Sequence, residues 1–394
     1  MPDLLLIDAT GSIRSEPLAS APVFAKPTAP LRSRVAYAAA HVIPKAWAEN
    51  VPGAPADIDW DATLAFRRHV WSWGLGVADA MDTAQRNMGL DAAATRELIS
   101  RSAAEARTAN GALVVGVNTD HVDDEVISLD KVIDAYISQL EFTEDAGAGV
   151  VLMASRHLAR AAESAADYER VYNAVLKRAT TPVILHWLGE AFDPVLAGYF
   201  GSHDVAAATD TVIRIIEANA DTVSGIKMSL LDAASELAVR SRLPETAAMY
   251  TGDDFNYVGL IAPAGEAATM EEPGSYSNAL LGAFAALAPS ASAAIQALDR
   301  NDPAAYHGIL GPTEELSRQI FAAPTFYYKT GIAFLSWLNG HQGSFTMVGG
   351  LHSARSLPHL SEIVRFANGC GALERPELAA ARWNGMLAQN GIVA

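Results

Sequence analysis

The chain has one cysteine, Cys370, in 394 residues. No intrachain disulfide can form, which excludes the stapled scaffolds of small secreted proteins. Cationic residues are also scarce: 28 Lys and Arg stand against 45 Asp and Glu, a net charge of −17. A surface of that sign repels phosphate backbones and anionic headgroups, so neither nucleic acid nor membrane is an expected partner. No apolar run reaches the ~20 residues that a membrane-spanning helix needs. The opening MPDLLLIDATGSIRSEPL carries Asp3 and Asp8 where a secretory leader is basic. These absences together favour a cytoplasmic protein. A glycine-rich nucleotide loop is missing too: neither GxGxxG nor GxxxxGK[ST] occurs. That argues against a dinucleotide or P-loop enzyme.

Apolar residues, by contrast, are plentiful. Half of the chain is hydrophobic and 19% is charged, which excludes disorder and supplies a large core without staples. Residues 1–33 read as a short hairpin turning at Thr10-Gly11, then an Ala/Pro-rich connector. They are expected to form a cover or an oligomer contact.

Over residues 34–295 short apolar runs alternate with stretches of helical period. The runs occupy 35–44, 73–81, 111–120, 148–157, 181–187, 222–229 and 247–254, with a weaker eighth at 266–278. Helical segments lie between them, among them 61–71, 90–109, 129–145, 167–178, 207–218 and 233–243. Runs that stay apolar, rather than alternating, suit a sheet covered on both faces. Eight strand–helix units predict a closed (β/α)8 barrel of the α/β class. From Ala279 onward the pattern is helical, and 296–394 is expected to form a C-terminal helical extension.

In such a barrel, side chains with chemistry converge where the strands end. The successive ends offer His41; Asp79, Asp82 and Thr83; Asn118, Thr119, Asp120 and His121; Ser155, Arg156 and His157; His186 and Trp187; Lys227 and Ser229; and Asp253 and Asp254. Ser275, Tyr276 and Asn278 stand near the eighth. Lys227 is the sharpest of these. It follows the apolar TVSGI, and an ammonium shielded there favours its neutral, nucleophilic form. Such an amine condenses with a ketone or aldehyde to an imine. The bland alternative is a lysine neutralised by Asp253 or Asp254.

Five strand segments resemble the dihydrodipicolinate synthase/N-acetylneuraminate lyase family of Schiff-base aldolases. GIKMS (225–229) resembles the strand carrying the imine lysine, TPVILHWLG (181–189) its P-x-[IL]-x-Y-N-x-P strand, and YTGDD (250–254) its S-G-x-[DE]-[DE] strand. VVGVNTD (114–120) and AGVVLMASRH (148–157) resemble the V-I-A-G-x-G and P-Y-Y strands. YYKTGIAFLSWLNG (327–340) is similar to the C-terminal helix with its P-x-K segment. The resemblance spans roughly 34–390 in order and implies that Lys227 forms the imine. It also marks departures. The family's catalytic tyrosine falls on His186, its G-T-T-G-E loop on DTAQR (82–86) with only Thr83 keeping a hydroxyl, and the P-Y-Y tyrosines on Ser155, Arg156 and His157. These differences count against pyruvate and leave imine chemistry open.

The expectation is therefore a lyase, a retro-aldolase or a dehydratase, acting on a small keto sugar or keto acid. Lys227 is the nucleophile and His186, with an ordinary pKa near ~6.5, the proton relay. Thr83, Asn118, Asp120, Arg156, Asp253 and Asp254 are candidates for substrate contact, Arg156 for an anionic group. No cofactor or metal is expected, and the protein is expected to be a homodimer or homotetramer. One competing reading is a metal-dependent aldolase or isomerase using His41, Asp120, His121, His157 and His186. Another is a barrel that binds a ligand without turning it over. His341, His352 and His359 are expected to be structural, or to belong to a lid from a neighbouring subunit.

Overall fold

A computed structural model describes residues 3–81, 86, 88–263 and 274–393. Eight parallel strands form a closed barrel: β3 (Ala36–Ala39), β4 (Gly76–Asp79), β5 (Leu113–Val117), β6 (Gly149–Met153), β7 (Val183–Leu188), β8 (Val223–Ser229), β9 (Ala248–Thr251) and β10 (Asn278–Leu281), with β10 closing against β3. The expected (β/α)8 barrel is the observed one. Alternate residues fill its interior, where Ala39, Ala78, Val114, Val151, Met153, Ile184, Tyr250 and Leu280 form one cluster. The opposite faces meet the helices, so both sides are dry, which explains the unbroken burial of VILHWL in β7.

The crossover helices start where short polar side chains cap them. Asp59 accepts from the Ala62 amide ahead of α1 (Trp60–Ser72), Asp91 from Ala94 ahead of α2 (Ala92–Ala109), and Ser128 from Lys131 ahead of α3 (Leu129–Asp145). The barrel is further tied to α1 by a fully buried ion pair, Arg67 Nη2 to Asp79 Oδ1 at 2.6 Å. Asp79 thereby faces the helix layer.

The eighth strand corrects the expectation. It is Asn278–Leu281, not the weak run at 266–278, most of which lies outside the described residues. The stretch ALLGAFAALAP that begins at Ala279 is apolar throughout, and such a run fits a buried strand or a buried helix equally well. Pairing decides: Leu280 sits opposite Tyr37 and Asn278 opposite Tyr250.

After α9 (Ala288–Asp299) the chain is helical through to its last helix. Three of these helices matter below: α12 (Tyr328–Leu338), α13 (Leu357–Cys370) and α14 (Pro376–Gln389). α12 is almost wholly buried, and Lys329 in its first turn donates to the carbonyl of Ala39 at the end of β3. The C-terminal helices thus reach the mouth of the barrel. The expected hairpin forms from β1 (Leu4–Ile7) and β2 (Ile13–Glu16). It covers those same helices: Trp383 Nε1 donates to Leu5 O at 2.6 Å, and Ile7 N to Ser361 Oγ at 2.9 Å. No described helix is long and apolar enough to cross a membrane.

Candidate active site at the barrel mouth

The register of the sheet sets the site. His186 on β7 pairs with Lys227 on β8, and Lys227 with Tyr250 on β9. Ile184 and Tyr250 both point into the barrel. With period-2 alternation, His186 and Lys227 therefore share the interior face. Lys227 is 7% exposed and His186 fully buried. The lysine chain is laid against a residue with no side chain. A Cβ on Gly252 would stand 2.7 Å from Lys227 Cε, 2.6 Å from the Met228 carbonyl and 2.2 Å from Ser229 Oγ. Gly252 is thus required by close approach. It was visible in YTGDD, but only as a strand match, because the neighbour that fills its empty side lies on another strand.

His186 Nε2 is hydrogen-bonded to Ser229 Oγ at 3.2 Å. Burial, and then the Lys227 charge, drive the imidazole well below its ordinary pKa. The ring is therefore a neutral base, not the half-protonated relay that an unperturbed value implies. Asp254 completes the group. It is buried, and its Oδ1 accepts from the Ala283 amide at 2.8 Å. Burial raises its carboxyl to about 7, against that amide and the charges of Lys227 and Lys329, which pull it down. Two buried lysines thus act on one carboxyl, and Lys329, from α12, is a second cation that the strand ends alone do not reveal.

The remaining candidates divide. Asp253 is occupied as a turn cap: Oδ1 accepts from the amides of Phe255 and Asn256, and Oδ2 from Asn256 Nδ2. Asp120 is gripped by the buried Arg86, whose Nε and Nη2 reach its two oxygens at 2.6 and 2.7 Å. Asn118 accepts from the Thr119 amide and donates to Ala154 O. Arg156 Nε donates to Asp193 Oδ2 at 2.5 Å. Asn118, Asp120 and Arg156 nevertheless line one cavity of ≈ 220 Å³ with Thr119 and His157, at the ends of β5 and β6. Thr83 lies outside the described residues. Lys227, His186 and Asp254 therefore form one group, and Asn118, Asp120 and Arg156 line a cavity over the neighbouring strand ends.

The five residues of the competing metal reading do not converge. His41 is bonded to Gln342, Asp120 to Arg86, His121 to Gln139, His157 to Thr119 and the Asp124 carbonyl, and His186 to Ser229.

The fold of the chain is similar to that of solved dihydrodipicolinate synthase structures. Dihydrodipicolinate synthase from Bacteroides thetaiotaomicron is 13% identical with a TM-score of 0.63, over 86% of this chain and 99% of that one. YagE, a prophage protein of E. coli K12 in the dihydrodipicolinic acid synthase family, solved with pyruvate, is 14% identical with a TM-score of 0.63, over 91% and 99%. The 4-hydroxy-tetrahydrodipicolinate synthase of Methylacidiphilum fumariolicum SolV is 16% identical with a TM-score of 0.60, over 90% and 97%. At these identities the likeness is one of fold. No curated protein matches the chain in sequence. Residues 4–392 match the family described as a protein of unknown function, DUF993, and the chain belongs to that family.

Proposed function

We propose that the protein is a lyase of the class I aldolase type, cleaving or dehydrating a small keto sugar or keto acid through an imine on Lys227. One observation carries the reading: a buried lysine inside the barrel, its chain seated on Gly252, beside a neutral imidazole one strand away. The fold likeness to the dihydrodipicolinate synthase family supports it.

The amine lone pair of Lys227 adds to the substrate carbonyl carbon. The former carbonyl oxygen takes up protons and leaves as water, giving the iminium. That cation accepts the electron pair of the bond between the α and β carbons as it breaks. The β-hydroxyl proton passes to the neutral His186, and the β carbon departs as a carbonyl product. The remaining enamine is protonated at carbon, and water releases the second product from Lys227. In the dehydratase outcome the uncleaved iminium instead loses its α proton to His186, and the enamine so formed expels the β-hydroxyl, which takes up a proton and leaves as water. Asp254, held near neutrality, exchanges a proton with the amine as it changes charge. The cavity lined by Asn118 and Arg156 is the proposed seat of the substrate's polar tail.

Borohydride reduction in the presence of keto acids and keto sugars tests this. The expected result is a substrate-sized mass increase on the Lys227 peptide with at least one compound, abolished in Lys227→Ala. Turnover that survives Lys227→Ala would overturn the proposal. A panel that binds by thermal shift but yields neither adduct nor turnover would favour the ligand-binding barrel.

A further inference from the structure

A second constellation lies away from the strand ends, between the first barrel helix and the C-terminal helices. His69 stands in the last turn of α1, His341 just beyond α12, and Glu374 just ahead of α14. Their ligand atoms all lie within 4.8 Å of one another, and among the described residues this is the one His/Cys/Asp/Glu group so placed. Both imidazoles aim Nε2 at the same oxygen: His341 Nε2 is 2.8 Å and His69 Nε2 3.8 Å from Glu374 Oε1. The shorter contact is a hydrogen bond; the longer one is beyond that reach. A plain His–Glu pair therefore leaves the aim of His69 unexplained. Ligands around a tetrahedral ion at ~2.0–2.1 Å sit about 3.3 Å apart, between the two distances seen.

We propose that His69, His341 and Glu374 bind one divalent transition-metal ion of the zinc type, which clamps α1 to the C-terminal helices.

The surroundings suit such a site. One asparagine holds two of the three ligand segments: Asn339 Oδ1 accepts from the Glu374 amide, and its Nδ2 donates to the Ala372 carbonyl, both at 2.9 Å. The chain turn that presents His341 is closed by its amide bonding Ser336 O at 2.9 Å. Phe66 flanks both imidazoles, at ring-centroid distances of 6.2 Å to His69 and 5.8 Å to His341. These contacts orient the ligands without competing for Nε2. The side chains are 17%, 16% and 25% exposed for His69, His341 and Glu374. Glu374 also lines a cavity of ≈ 290 Å³ with Trp73 and Ala372. Two imidazoles and one carboxylate suit zinc, cobalt or nickel rather than calcium or magnesium, which want more oxygen. Lys26 and Arg375 bear electrostatically on His69. Their charge opposes a hard cation held by charge alone, whereas bonds to imidazole nitrogen can outweigh it.

The test uses full-length, tag-free protein, stripped with chelator and dialysed. Titration with Co²⁺ and Zn²⁺ should show one equivalent per chain, Co²⁺ giving visible ligand-field bands and Zn²⁺ raising Tm. His69→Asn and Glu374→Gln, on separate elements, should each weaken binding at least tenfold and remove the Tm gain. Lys227→Ala should bind as the wild type does, so the result is independent of the imine chemistry. Absence of saturable binding in the wild type, or binding unchanged in both variants, would overturn the proposal. If one variant fails to melt cooperatively in chelator, the other decides.

Discussion

At the scale of single residues, the mouth depends on an atom that is missing. Gly252 has no Cβ, and the space this leaves is filled by Lys227 Cε, Ser229 Oγ and the Met228 carbonyl. The lysine chain can shift aside, but the carbonyl belongs to the neighbouring strand. Gly252→Ala should therefore push Lys227 out of line as well as strain the β8–β9 pairing. The expected outcome is a stability loss of about 1–3 kcal/mol together with at least a tenfold fall in imine trapping at equal folded protein. Trapping at wild-type yield in Gly252→Ala would show that the seat is dispensable. The same scale explains which candidates were legible. Lys227 and His186 end apolar runs, and parity places them inside. Asp253 and Asp254 are adjacent, and no spacing rule separates them beyond the end of β9. Only the folded chain shows that Asp253 caps the turn while Asp254 meets the lysines. Asp120 was similarly opaque, because its partner Arg86 lies 34 residues back in the chain.

Among elements, α12 does more than cover the barrel. Its first turn delivers Lys329 to the carbonyl of Ala39 and to the vicinity of Asp254. Removing one member of a buried charged group leaves the others uncompensated, at a cost of about 3–5 kcal/mol. Lys329→Met keeps the volume and removes the charge, and it should lower Tm markedly. It should also alter the pH profile of imine formation, because Asp254 then answers to Lys227 alone. A profile identical to wild type would show that the second ammonium has no part in the chemistry. Strands and helices of the barrel were readable because their apolar runs and capping Asp and Ser residues agree. β10 was not, since an Ala/Leu run carries neither period and its identity depends on β3 and β9 for partners.

For the molecule as a whole, stability should carry the mark of buried acids. Glu236, in α7 (Ala233–Arg240), is 1% exposed and accepts from Ser277 Oγ at 2.7 Å. Burial raises its pKa to about 7, with Asp253 adding to the rise and Ser277, Thr251 and Arg240 opposing it. A folded value above the unfolded ~4.5 means that the folded state holds the proton more tightly. Its contribution is complete below ~4.5 and disappears as pH rises through about 7. Glu236→Gln lacks this slope. It should gain on the wild type between pH 5 and pH 8, by about 1–3 kcal/mol at the upper end, read from denaturant midpoints across that range. A difference flat with pH would show an ordinary carboxyl. At this scale the order of strands and helices was legible, whereas the cluster of His69, His341 and Glu374 was not. Those residues share no local motif, and only the docking of α1 against the C-terminal helices brings them together.

The clasp between Leu5 and Trp383 has a bearing on how the protein is born. Leu5 precedes Trp383 by 378 residues, so the hairpin must wait, unhoused, while the barrel between them is made. Its Ala/Pro-rich tether and its brevity suit that delay, since a short two-stranded ribbon holds little structure by itself.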